Sequence, residues 1–107
     1  MQDMYINEAK NTLDTLSYRN ERAMKFEVFN SKFQNSVKIL DSYGCTMHNK
    51  DVVDLLWTKL KNLELEMCVA SIKVNYRRNR QKYTKILHEI AAHITNGKTP
   101  PFTTAGV

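Results

Sequence analysis

The chain has 107 residues, room for one small domain but not for a second hydrophobic core of useful size. Its 42% hydrophobic and 25% charged residues exclude a disordered polymer, and no apolar run approaches the roughly 18 to 20 residues that a membrane span needs. The formal net charge is +5, and with three glycines and two prolines, the latter both at Pro100 and Pro101, the first 99 residues lack the turn residues of a many-stranded fold.

Five helical segments are expected. In residues 3–16, Ile6, Ala9, Leu13 and Leu16 recur at helical spacing and leave a polar opposite face. Next, Phe26, Phe29, Phe33, Val37 and Leu40 form one stripe, opposed by Lys25, Lys32 and Lys38, until Gly44 offers a left-handed stop. Asn49 is placed to cap a third helix, with Asp51 and Asp54 near its positive end and Val53, Leu56, Trp57 and Leu60 facing inward as far as about Asn62. Residues 63–76 carry Leu65, Val69, Ile72 and Tyr76 but also Met67, Ala70 and Val74, a stripe too wide for one neighbour to cover. The last segment follows Asn79, with Tyr83, Ile86, Leu87, Ile90, Ala91 and Ile94 on one side and Asn96-Gly97 as its stop. The predicted fold is all-α, a compact bundle of about five helices over residues 1–97 with Phe29, Phe33, Val37, Leu56, Ile86 and Ile90 buried, and a flexible tail over 98–107.

The residues that could carry chemistry are scattered. His88 and His93 flank a glutamate as in zinc-protease helices, but a separation of five turns the two rings about 140° apart on a regular helix, where that motif needs four. Cys45 and His48 could offer two zinc ligands from a turn, yet a structural site needs four and the other thiol, Cys68, stands apart. With no export signal at the N-terminus, both cysteines are expected to be reduced and the chain intracellular, in the cytoplasm. The glycines are isolated, so no phosphate loop is present. The expectation is a non-enzyme with no catalytic, metal or cofactor residues; a site assembled from Asp54, His88 and Glu89 is the weak alternative.

Charge is distributed unevenly. Residues 1–62 hold nine Lys and Arg against eight Asp and Glu, whereas 63–107 hold seven against three. Lys73, Arg77, Arg78, Arg80, Lys82 and Lys85 follow one another without an acid, interleaved with Tyr76 and Tyr83, a composition suited to phosphates and stacked bases as well as to a solvated surface. The clearest turn leads into Val52-Val53-Asp54-Leu55-Leu56, which is apolar and acidic and argues against sequence-specific reading of DNA. Met67, Ala70, Ile72 and Val74 are the candidates for contact with another copy.

The run Leu16-Ser17-Tyr18-Arg19-Asn20-Glu21-Arg22, followed by Phe26-Glu27-Val28-Phe29 and a helix ending at Gly44, resembles the Gag polypeptide of copia-type LTR retrotransposons, those of algae and protists especially. Residues 51–63 resemble the family's segment closing in a Leu-rich turn, and 83–94 its last amphipathic helix, so the likeness spans 13–94. It implies a capsid-like, all-helical protein that self-associates into particles around RNA, with no catalysis. The chain departs from complete Gag in lacking the zinc knuckle of three cysteines and one histidine, the protease and the polymerase regions, which puts specific RNA packaging in doubt. The expected partners are therefore a second copy and nonspecific RNA, with no small-molecule substrate and no membrane. A general helical protein–protein interaction module and a small nonspecific nucleic-acid-binding protein are the alternatives.

Overall fold

In the computed structural model, which describes residues 2–98, the helices are α1 (Gln2–Thr15), α2 (Phe26–Ser42), α3 (Asn49–Lys59), α4 (Glu66–Asn79) and α5 (Tyr83–Lys98), with a single 3-10 turn, Leu63–Leu65, ahead of α4. Among the described residues there is no strand beyond one isolated parallel bridge between Tyr18 and Leu60. The fold is the all-helical bundle that the periodicity predicts. Residues 99–107, most of the expected tail, lie outside the described residues, and α5 runs through Asn96-Gly97 to Lys98 instead of stopping there.

α1 packs along α2, while α5 lies against α2, α3 and α4. The six residues expected in the core are each no more than 7% exposed. Around them the aromatic rings form a row, Tyr18 to Phe26, Phe29, Phe33 and Tyr83, with neighbouring centroids 5.1 to 6.3 Å apart, the offset and edge-on spacing that aromatic rings favour.

Local chemistry explains the helix ends. α2 stops in a Schellman motif: Gly44 takes φ +81°, its N–H donates to the Asp41 carbonyl, and the Cys45 N–H donates to the Leu40 carbonyl at 2.7 Å. Asn49, expected to cap α3, does something else. It is the first residue of α3, and its side chain reaches the α4–α5 joint, where Oδ1 accepts from the Tyr83 N–H (2.8 Å) and Nδ2 donates to the Gln81 carbonyl (2.9 Å). Asn49 thus satisfies an orphan donor at the start of α5 and ties two joints together.

The connection from α1 to α2 is held by Tyr18. Its N–H donates to the Lys59 carbonyl and its carbonyl accepts from the Lys61 N–H, both at 2.8 Å, which stops α3 by drawing Leu60 into an extended conformation. Its ring is fully buried, and its hydroxyl donates to Glu21 Oε2 (2.6 Å), which also accepts the N–H of Phe26, the first residue of α2 (2.7 Å). Glu21 therefore supplies the N-terminal cap and the favourable negative charge that Lys25 cannot.

Two outcomes test this architecture. Phe33→Ala is expected to cost about 3–5 kcal/mol of unfolding free energy, because a fully buried ring leaves a cavity; a loss below about 1 kcal/mol would place Phe33 outside the core. Burial, then the hydrogen bond to Glu21, raises the Tyr18 pKa, so the fold favours the neutral phenol. Its contribution is complete below the unfolded tyrosine pKa of about 10 and is lost as pH rises through the higher folded value. Denaturant titrations should show Tyr18→Phe to be less stable than the parent at neutral pH by about 1.5–3 kcal/mol, the worth of a bond to a charged group, with the gap closing in strong alkali.

Candidate functional site

α4 has two apolar faces. Leu65, Ile72 and Tyr76 are buried, at 3%, 7% and 7% exposure, with Cys68 and Val69 packed partly against the core. On the other side Leu63 is 83% exposed, Met67 86% and Val74 51%, with Ala70 exposed between them. The sequence grouped Ile72 with the outward residues; it belongs to the core, because two positions along a helix is just over half a turn and carries Ile72 away from Ala70 and Val74. Beside the outward face, the end of α3 and the start of α4 leave an open groove of about 290 Å³ whose apolar lining includes Trp57, Leu60, Leu63, Val69 and Ala70.

A second groove of about 330 Å³ continues along α3 and α4, lined by the cations Lys50, Lys73, Arg77 and Arg80, the rings of Trp57 and Tyr76, and one acid, Asp54. Asp54 lies 3.8 Å from Lys50 across one turn of α3, an exposed pair of little energetic weight. The Lys73 ammonium stands 5.5 Å from the centre of the Trp57 ring and the Arg80 guanidinium 5.7 Å from that of Tyr76. Arg80 ends α4 in the left-handed conformation, φ 50° and ψ 47°, with its N–H donating to the Tyr76 carbonyl. A non-glycine residue there is strained, and the consequence is an arginine folded back over the groove.

Of the six basic residues read from the sequence, the structure brings Lys73, Arg77 and Arg80 together, whereas Arg78, Lys82 and Lys85 are exposed but do not line the groove. Lys50 and Trp57 complete it from α3; spacing marks Trp57 only as an inward-facing residue and Lys50 not at all, since the groove exists only once α3 and α4 are both held against α5. Tyr76 and Tyr83, read as stacking candidates, are engaged inside: Tyr76 is buried under Arg80, and Tyr83 packs on Phe33.

Elsewhere the chemistry is sparse. Cys45 and Cys68 are free thiols, and burial, then the nearby charge of Glu89, pushes the Cys68 thiol up, away from the reactive thiolate. His88 and His93 are exposed on α5. Among the described residues no three His, Cys, Asp or Glu side chains gather where they could hold a metal ion, and no helix is long and apolar enough to cross a membrane. An open cleft of about 590 Å³ lies between α1 and α2 and holds Glu8, Arg19 and Lys32 but no histidine or cysteine. No protein-family model matches the chain, no curated protein matches it, and no solved structure resembles it.

The strained cap can be tested directly. Arg80→Gly should raise stability by about 1 kcal/mol, because glycine adopts the left-handed region without the side-chain clash, and a higher thermal midpoint would show it. A lower midpoint would mean that the contact of Arg80 with Tyr76 outweighs the strain.

Proposed function

We propose that this protein is a non-enzymatic assembly protein of the Gag capsid kind, which self-associates through the outward face of α4 and holds RNA weakly, without sequence preference, on the basic surface beside it. One observation carries the reading: Met67, Ala70 and Val74 of α4, with Leu63 of the turn before it, stand in solvent while the other face of α4 is already in the core. Isolated exposed apolar residues are ordinary, but an aligned row beside an apolar groove is the pattern of a protein contact. The resemblance of residues 13–94 to copia-type Gag supports the same reading, and the two free thiols suit work in the reducing interior of a cell. A row of four side chains makes a contact smaller than a standard stable interface, so each association is weak and many must act together.

Sedimentation at increasing loading concentration should show the average mass rising. Met67→Asp combined with Val74→Asp should suppress the rise while leaving the helical signal intact, since both residues are exposed. Ile72→Asp should instead unfold the domain, because it places a charge in the core. A persistent monomer at all concentrations would contradict self-association.

The basic surface supports the RNA part. Neutralising each phosphate releases counterions, so the logarithm of affinity should fall with the logarithm of salt, by about 0.7 for each phosphate engaged on a single strand. Replacing Arg77, Arg78 and Arg80 by Glu should abolish binding to a random single-stranded RNA at low salt; unchanged affinity would leave these residues as a solvated surface.

A further inference from the structure

We infer that two copies of this chain pair through α4 about a two-fold axis, with the two helices antiparallel; the inference rests on the self-association proposed above and specifies its partner and geometry.

α4 and the turn before it carry the same apolar spacing twice. Leu65, Val69, Ile72 and Tyr76 are separated by four, three and four residues and face the core, Val69 only in part. Leu63, Met67, Ala70 and Val74 repeat those separations two positions earlier, which within α4 is about 200° around the helix, and face solvent. Alternation of three and four is the seam by which one helix packs along another. The inner seam has its neighbours within the domain; the outer seam has the form of the same device without a neighbour, and a second α4 fits it.

Size complementarity selects the direction. In a parallel pair, Met67 would meet Met67 of the partner subunit and Ala70 would meet Ala70 of the partner subunit, crowding one layer and leaving the next empty. In an antiparallel pair centred between residues 68 and 69, Met67 meets Ala70 of the partner subunit and Leu63 meets Val74 of the partner subunit, so each large side chain faces a smaller one. The groove beside Ala70, walled by Trp57, Leu60 and Val69, adds a recess for the flexible methionine.

Charge selects the same direction. Glu64 and Glu66 flank the first end of the seam, and Lys73, Arg77 and Arg78 flank the other. A parallel pair sets acids beside acids and bases beside bases, whereas an antiparallel pair sets each acidic end beside a basic one and also opposes the helix dipoles. A two-fold contact of this kind is self-complementary and closes after two copies, so a larger assembly would need a further surface.

Single surface cysteines decide between the arrangements. A disulfide requires Cα atoms about 4.4–6.8 Å apart, while positions 63 and 74 lie roughly 16 Å apart along a helix. Chains carrying Leu63→Cys and chains carrying Val74→Cys are mixed at a concentration where the parent's mass has risen, oxidised mildly, and digested, so that linked peptides are identified by mass and separated from any bond at Cys45 or Cys68. The expected result is a link between positions 63 and 74 and none between two copies of position 74. A link joining position 74 to itself would overturn the antiparallel arrangement. Neither link, in a sample whose mass still rises with concentration, would overturn pairing through α4 while leaving self-association standing; a parent mass that never rises would remove both.

Discussion

Tyr18 sits where three parts of the chain meet, and the placement of the other elements depends on it. Its backbone joins the α1–α2 connection to the end of α3, its ring fills the start of the aromatic row, and its hydroxyl fixes the carboxylate that caps α2. These bonds are made by a fully buried residue, where an unpaired donor or acceptor would be costly, so each holds the others in place. The same bridge ends α3 at Lys59 and so fixes where the short link to the 3-10 turn begins.

The proposed contact surface follows from which side of α4 is buried. Once Leu65, Ile72 and Tyr76 are buried, the second apolar row of α4 is left in solvent. A chain selected for stability alone would gain from polar residues at Leu63 and Met67, and from glycine in place of the left-handed Arg80. Both departures are local costs of the kind that would accompany the proposed contact surface. The aromatic rings of the neighbouring groove stand against Lys73 and Arg80, so what the groove would offer the proposed RNA contact is charge.

The helices were legible because their stripes are regular and the glycine at position 44 ends α2 in the expected way. The core residues on α2 and α5 follow from periodicity, whereas on α3 the spacing misses the buried Val52 and turns inward Trp57 and Leu60, which are only half-buried and line the surface groove. What sequence spacing could not separate was the two seams of α4: apolar residues offset by two positions read as one wide stripe, and Ile72 fell on the wrong side of it. Asn49 was legible as a capping residue but not as the cap of a helix 34 residues later, because that partnership exists only after α3 and α5 have packed. Tyr18 and Glu21 stood inside the run that carries the resemblance to Gag, yet their hydrogen bond and burial have no signature in spacing. Lys50 and Trp57 likewise join the basic groove from a different helix.

In the proposed assembly the outward row of α4, and not the rest of the surface, meets another copy. Methyl resonances followed through a dilution series of the intact protein test it most directly, since Met67 and Val74 lie in the outward row, Ile72 and Ile86 in the core, and Val28 is exposed on α2. Concentration-dependent shifts are expected at Met67 and Val74, with Ile72, Ile86 and Val28 unmoved. Shifts centred on Val28, or none at any concentration, would contradict it.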